Sequence, residues 1–199
     1  MTSPRAAVGF LAHTGWAAAV VVAGSRSEIR VIDRRRVALV EPPDSGSRFV
    51  YHMAAELPKA KAAGFVKKAV ESAHRVALES FRALAGDVGT SCRLVASGIV
   101  TSASKLPESL DEILGSHPLL HTAEGVLYRN AIRAASEALD LPVVAVPARE
   151  LPAKAAAALG TTEVALRAKL AEVGRAAGRP WAQDQRDATL VAWMALASK

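Results

Sequence analysis

Two carboxylates near the carboxyl end, Asp184 and Asp187, stand three residues apart in the segment Trp181–Lys199. From Ala188 on, Leu190, Val191, Met194 and Ala195 recur at three- and four-residue spacing, which predicts a helix buried along most of one side. Pro180 fits just outside or at its first turn, where a fixed φ is suitable and a missing N–H is no loss. On such a helix the two acids lie side by side, about 5–6 Å apart at Cβ. Paired carboxylates at this spacing have a functional reading that the arrangement of the rest of the chain strengthens. The same spacing also has a plain structural use. Acids in a first turn offset the positive end of the helix dipole, and Asp184 suits an N-cap.

Other polar residues fall at the ends of elements that can meet this pair. His13 and Thr14 lie in a turn signal after the first apolar run, Asp33 in a later strand, and His121 and Glu124 at the start of a helix. A histidine there can accept or donate a proton near neutral pH, and a glutamate can act as acid, base or ligand. The residues that could carry chemistry are Asp184, Asp187, Glu124, His121 and His13. Capping and dipole compensation account for His121 and Glu124 without chemistry, and a solvated turn accounts for His13.

The elements that must position these groups follow from composition and patterning. The chain has 199 residues, half of them hydrophobic and many of those alanine, enough for one domain with a sizeable core. The expected organisation is a single domain over 1–199, with C-terminal helices from 150 to 199 packed on it. Lys plus Arg is 25 against 19 for Asp plus Glu, a net charge of +6, which is compatible with a polyanionic partner such as nucleic acid. An aromatic share of 5% argues against a stacking platform for single strands. The lone Cys92 excludes an internal disulfide and a cysteine-based zinc site. No apolar run approaches the roughly eighteen residues needed to span a membrane, and the N-terminus lacks a signal-peptide layout, so a cytoplasmic protein is expected.

Ala6–Ala12, Trp16–Ala23 and Ile29–Val40 read as three strands joined by tight turns, an antiparallel meander. Arg34-Arg35-Arg36 then falls on an exposed edge or bend, where charge blocks mispairing and can also touch phosphate. Glu41–Ser47 is a loop. Lys59–Ala85 is one long helix with an apolar stripe through Val66, Val70, Ala73, Ala77, Phe81 and Leu84. Arg93–Val100 is a short strand apolar on both faces, suited to the centre of a sheet. Thr101–Pro118 is a loop with one helical turn at Leu110–Leu114. A helix over His121–Leu139, with Thr122 as its cap, and a strand at Pro142–Pro147 complete a right-handed parallel crossover. Helices at Glu150–Leu159 and Thr161–Ala177 precede the last one.

This β-β-β-α-β-α-β order followed by helices resembles the ribonuclease-H-like superfamily, nearest to its bacterial Holliday-junction resolvases. The resemblance is carried by Val8-Gly9-Phe10 with Thr14-Gly15-Trp16-Ala17, and by Gly125-Val126-Leu127-Tyr128 through Ala134-Ala135 into Leu141-Pro142-Val143-Val144. A final Pro-preceded helix with Asp-x-x-Asp-Ala completes it. It implies an α/β fold: a five-stranded mixed sheet, three antiparallel strands and then parallel ones, flanked by helices. It also implies metal-dependent nucleic-acid processing with Mg2+ or Mn2+, and a homodimer in which the long helix or the final helix packs on a second copy. Asp184 and Asp187 stand where that family's final-helix acids would be, which makes them the implied metal ligands, because magnesium wants hard oxygen donors. The expected first-strand acid falls on Phe10 or Leu11, and the fourth-strand acid on Ala96-Ser97-Gly98, so part of the acidic site is missing. A catalytically inactive binding or assembly module is the other reading that this pattern implies. The actin-like ATPase branch shares the strand order, but His13-Thr14-Gly15 is too short and carries no acid for its phosphate-binding turn.

Overall fold

The computed structural model describes residues 3–41 and 48–199; the expected loop at Glu41–Ser47 lies, beyond Glu41, outside them. The strands are β1 (Arg5–His13), β2 (Trp16–Gly24), β3 (Ile29–Ala38), β4 (Arg93–Thr101) and β5 (Val143–Pro147). The helices are α1 (Val50–Ala55), α2 (Lys59–Val88), α3 (Leu110–Leu114), α4 (His117–Glu137), α5 (Leu151–Leu159), α6 (Glu163–Ala177) and α7 (Gln183–Ala197). Thr14-Gly15 closes the first hairpin with Gly15 at φ +84°, a backbone state that two-residue hairpin turns need and glycine adopts without a Cβ penalty.

The sheet runs β3-β2-β1-β4-β5. β1–β2 and β2–β3 are antiparallel, and β1–β4 and β4–β5 are parallel. This is the five-stranded mixed sheet expected from the sequence. β1 and β2 carry unbroken buried runs because both faces are covered. One face packs on α2 and α4, where the Phe10 ring meets Phe81 edge-on at 5.0 Å, an orientation aromatic quadrupoles favour.

The other face packs on α7, with α5 and α6 beyond it. Glycines set how closely α7 approaches. A Cβ at Gly9 would lie 1.9 Å from the Ala188 carbonyl oxygen, and one at Gly98 2.5 Å from that of Val191. The helix backbone therefore rests directly on the centre of β1 and β4. Residues 188 to 196 of α7 are all buried. The expectation of burial along one side is corrected: α7 lies between the sheet and α5, covered all round. Its surface is spent inside the molecule, so of the two helices expected to serve a second copy only α2 keeps an exposed face.

Two helix starts also differ from expectation. α4 begins at His117, not His121, because Pro118 suits a first turn and Ser116 takes the cap position. Thr122 is then inside the helix, its hydroxyl donating to the Pro118 carbonyl at 3.0 Å. α7 begins at Gln183, and Asp184 is its second residue rather than its cap. The cap is Ala182, whose N–H donates to Gln185 Oε1 at 2.9 Å.

Candidate functional site

The sheet brings two polar groups to one end of the molecule, one on each face. The first forms where β1 finishes against the start of α7. His13 is the last residue of β1, on the side facing α7, and its Nε2 lies 2.8 Å from Asp184 Oδ2. A carboxylate only accepts, so Nε2 donates and Nδ1 is left as an acceptor. The imidazole stacks on Trp16 at 4.2 Å, and the Arg36 guanidinium covers that indole at 3.5 Å. Asp187, one turn along α7, accepts a hydrogen bond from Gln183 Nε2 at 2.7 Å. Partial burial pushes its carboxyl above the usual aspartate range. The Gln183 hydrogen bond and the Arg186 charge pull it back, and the Asp184 charge adds to the rise.

Asp187 also lines a cavity of about 850 Å³ between α6 and α7. Arg167, Arg175, Arg179 and Arg186 border it, against Glu163 and Asp187. That is a cationic rim beside two carboxylates. The basic triplet on β3 is engaged otherwise. Arg34 donates to the carbonyls of Arg179 and Pro180, both at 2.7 Å, and so ties the segment before α7 to the sheet edge. Arg35 holds Asp33 at 2.6 Å and Asp87 at 2.5 Å, so Asp33 is placed in an ion pair away from α7.

The strands add no carboxylate to this group. Phe10 is buried on the α2 side, and Leu11 packs with the α7 cluster. On β4, Ala96 and Val100 face α7, while Ser97 is fully buried and accepts from Ser136 Oγ at 2.9 Å.

The second group lies on the opposite face, where α1 meets α4. The hairpin tip at Gly15 abuts Arg48, two residues before α1, which sets both groups at the same end of the sheet. Glu124 is 2% exposed; its Oε1 accepts from the Tyr51 N–H at 2.8 Å and lies 3.4 Å from His52 Nδ1. Burial pushes its carboxyl above the usual glutamate range, opposed by those hydrogen bonds. His121 Nε2 lies 3.1 Å from His117 Nε2, and the His52 ring is 4.6 Å from that of His121. Of the five residues singled out from the sequence, His13 and Asp184 touch, Asp187 lies one turn farther along α7 with Gln183 as its own partner, and Glu124 and His121 each adjoin His52 elsewhere. His52 and His117 were not anticipated. The signal for His117 is its four-residue spacing from His121, hidden because His117 reads as loop until Pro118 is taken as a helix start; His52 has no such signal.

No family model matches the sequence, and no curated protein matches it. The structure of T. thermophilus RuvC in complex with Holliday junction substrate is similar, with a TM-score of 0.52, 17% identity, and coverage of 96% of this chain and 91% of that one. The fold is ribonuclease-H-like. A structure of Thermus thermophilus RuvC also matches, with a TM-score of 0.48, 16% identity, and coverage of 95% of this chain and 92% of that one. Within the ribonuclease-H-like fold the His13–Asp184 pair lies at the carboxyl end of the first strand. No helix among the described residues is long and apolar enough to cross a membrane.

Proposed function

We propose that this chain processes nucleic acid, hydrolysing phosphodiesters with Mg2+ or Mn2+ at a reduced acidic site. One observation carries the reading: His13 and Asp184, 171 positions apart, meet at 2.8 Å beside Asp187 and its arginine-rimmed cavity. Two carboxylates one helical turn apart are hard oxygen donors of the kind such an ion takes, since magnesium is commonly held by one or two carboxylates plus substrate phosphates. Asp184 and Asp187 would hold it, and Asp187, half-buried, gains most from a neighbouring cation. When bound, the ion supplies Lewis-acid polarisation of a phosphoryl oxygen. His13 Nδ1 accepts the proton of the attacking water, and Asp184 fixes the tautomer and supports the imidazolium that forms. The cavity arginines bind backbone phosphates and set the strand in register.

A four-way DNA junction is the first substrate to try, because the similar structure holds a Holliday junction. With duplex as the comparison, the parent protein is expected to cleave with Mg2+ or Mn2+. Asp187→Asn lowers the rate by at least about 100-fold, since metal-ion stabilisation is worth several kcal/mol. A parent that cleaves neither substrate overturns the reading.

A second reading, a binding module without catalysis, draws on Leu11 and Val100. These apolar residues stand on the α7-facing side of the sheet, where strand acids would complete the metal site. Under it, junction binding persists unchanged in Asp187→Asn, and no divalent ion alters the DNA.

A further inference from the structure

Three of the chain's five histidines converge at the α1–α4 junction, and the reduced acidic site uses none of them. His117 and His121 stand four residues apart on the first turns of α4, a spacing that places both rings on one face. Their Nε2 atoms are 3.1 Å apart. Two nitrogens on one tetrahedral zinc are separated by about 3.3 Å, given Zn–N bonds of about 2.0–2.1 Å. His52 comes from α1, its ring edge-on to both, 5.4 Å from His117 and 4.6 Å from His121. One ligand atom from each of the three lies within 4.8 Å of the others.

Glu124 organises the third imidazole. Its Oε1 faces His52 Nδ1 and is anchored by the Tyr51 N–H. This leaves His52 Nε2 for an ion, an arrangement of carboxylate, histidine and metal in which the acid fixes tautomer and ring orientation. Its other oxygen, Oε2, is buried with no partner among the described residues. Imidazole donors suit zinc, copper or nickel, whereas magnesium takes oxygen donors. Three of them leave one position of a tetrahedral ion for water or an incoming ligand, the layout of an open zinc site.

We propose that His52, His117 and His121 form a zinc-binding site, with Glu124 as the residue that positions His52. It stands apart from the acidic site, on the other face of the sheet, and does not rest on the nuclease reading. It also links α1 to α4 across an otherwise small contact, so the ion stabilises the folded chain by mass action.

The test is titration of the chelator-treated full chain with Zn2+ alone, followed by calorimetry and melting temperature, with Co2+ as a spectroscopic substitute. One equivalent is expected to bind, raise the melting temperature, and give the intense visible bands of tetrahedral cobalt. His117→Ala and His121→Ala, both exposed and therefore expected to fold, should each weaken binding by at least about 100-fold. Glu124→Gln should keep the stoichiometry and weaken binding by about 10–100-fold. The double variant Asp184→Asn/Asp187→Asn should bind zinc as the parent does, whether or not the parent cleaves DNA. The proposal is overturned if the parent binds no stoichiometric zinc, or if both alanine variants bind it as the parent does. Loss of zinc in the aspartate double variant, with retention in His121→Ala, also overturns it by moving the ion to the acidic site.

Discussion

Asp187 shows how a single residue can be held against its own solvation. Its carboxyl is half-buried in the first turns of α7, and burial outweighs the Gln183 hydrogen bond and the Arg186 charge in raising its affinity for a proton. The folded chain therefore binds that proton more tightly than the unfolded one. The resulting stabilisation is complete only below the ordinary aspartate range and is lost as pH rises through the raised folded value. At neutral pH the buried charge is a cost. Asp187→Asn is accordingly expected to melt higher than the parent at neutral pH without divalent ions. The gap should close as pH falls below the ordinary aspartate range, and melts from about pH 3 to about pH 8 check the sign. The same protonation should switch off metal-dependent cleavage on the acid side, at a pH above that of an ordinary aspartate. His13 is held by two contacts, the stack on Trp16 and the hydrogen bond to Asp184. Trp16→Ala is expected to lower cleavage by about tenfold or more through misplacement of the imidazole, since small displacements from reactive geometry are costly.

At the scale of elements, α7 is fixed by what its neighbours lack. Alanine in a strand is intrinsically better than glycine by about 0.5–1 kcal/mol. At Gly9 and Gly98 a methyl would instead press on the α7 backbone. Overpacking of about 1–3 kcal/mol, and more where the obstacle is backbone, outweighs the gain. Gly98→Ala should destabilise within that range, and Gly9→Ala more, since its methyl would sit closer to a carbonyl oxygen. Gly64→Ala in α2, where a Cβ meets nothing within 4 Å, should stabilise by about 0.5–1 kcal/mol. Urea unfolding of the three variants separates these outcomes. Under the nuclease reading the same order should appear in activity, because lifting α7 off β1 separates Asp184 from His13.

At the scale of the whole molecule, the +6 charge is unevenly spent. The triplet Arg34-Arg35-Arg36 of β3 is consumed by carbonyls, by Asp33 and Asp87, and by the Trp16 ring. The four that border the α6–α7 cavity are more open to an outside anion. Nucleic-acid affinity should therefore fall steeply with salt, and alanine at Arg167 or Arg175 should lower the log–log slope by about one each. The same changes at Arg34 should destabilise the segment before α7 instead. Fluorescence anisotropy across a salt series, paired with thermal melts, tells the two groups apart.

Much of this organisation is written along the chain. Alternation and apolar runs gave the meander and the central strands, three- and four-residue spacing gave α2 and α7, and element order gave the mixed sheet. These are local periodicities, set by the pitch of a helix and the pleat of a strand, so they survive in one dimension. The six-residue α1 is too short to show a period, and His52 went unnoticed with it. The start of α4 turned on whether Pro118 opens a helix or ends a loop, which local residues do not decide. Which polar groups meet was likewise beyond reach of spacing. His13 finds Asp184 because α7 runs back over β1 on two glycines, and His121 finds His52 because α1 folds against the opposite face. Contacts between residues far apart in the chain depend on how closely the elements pack, and that is a property of the assembled core alone.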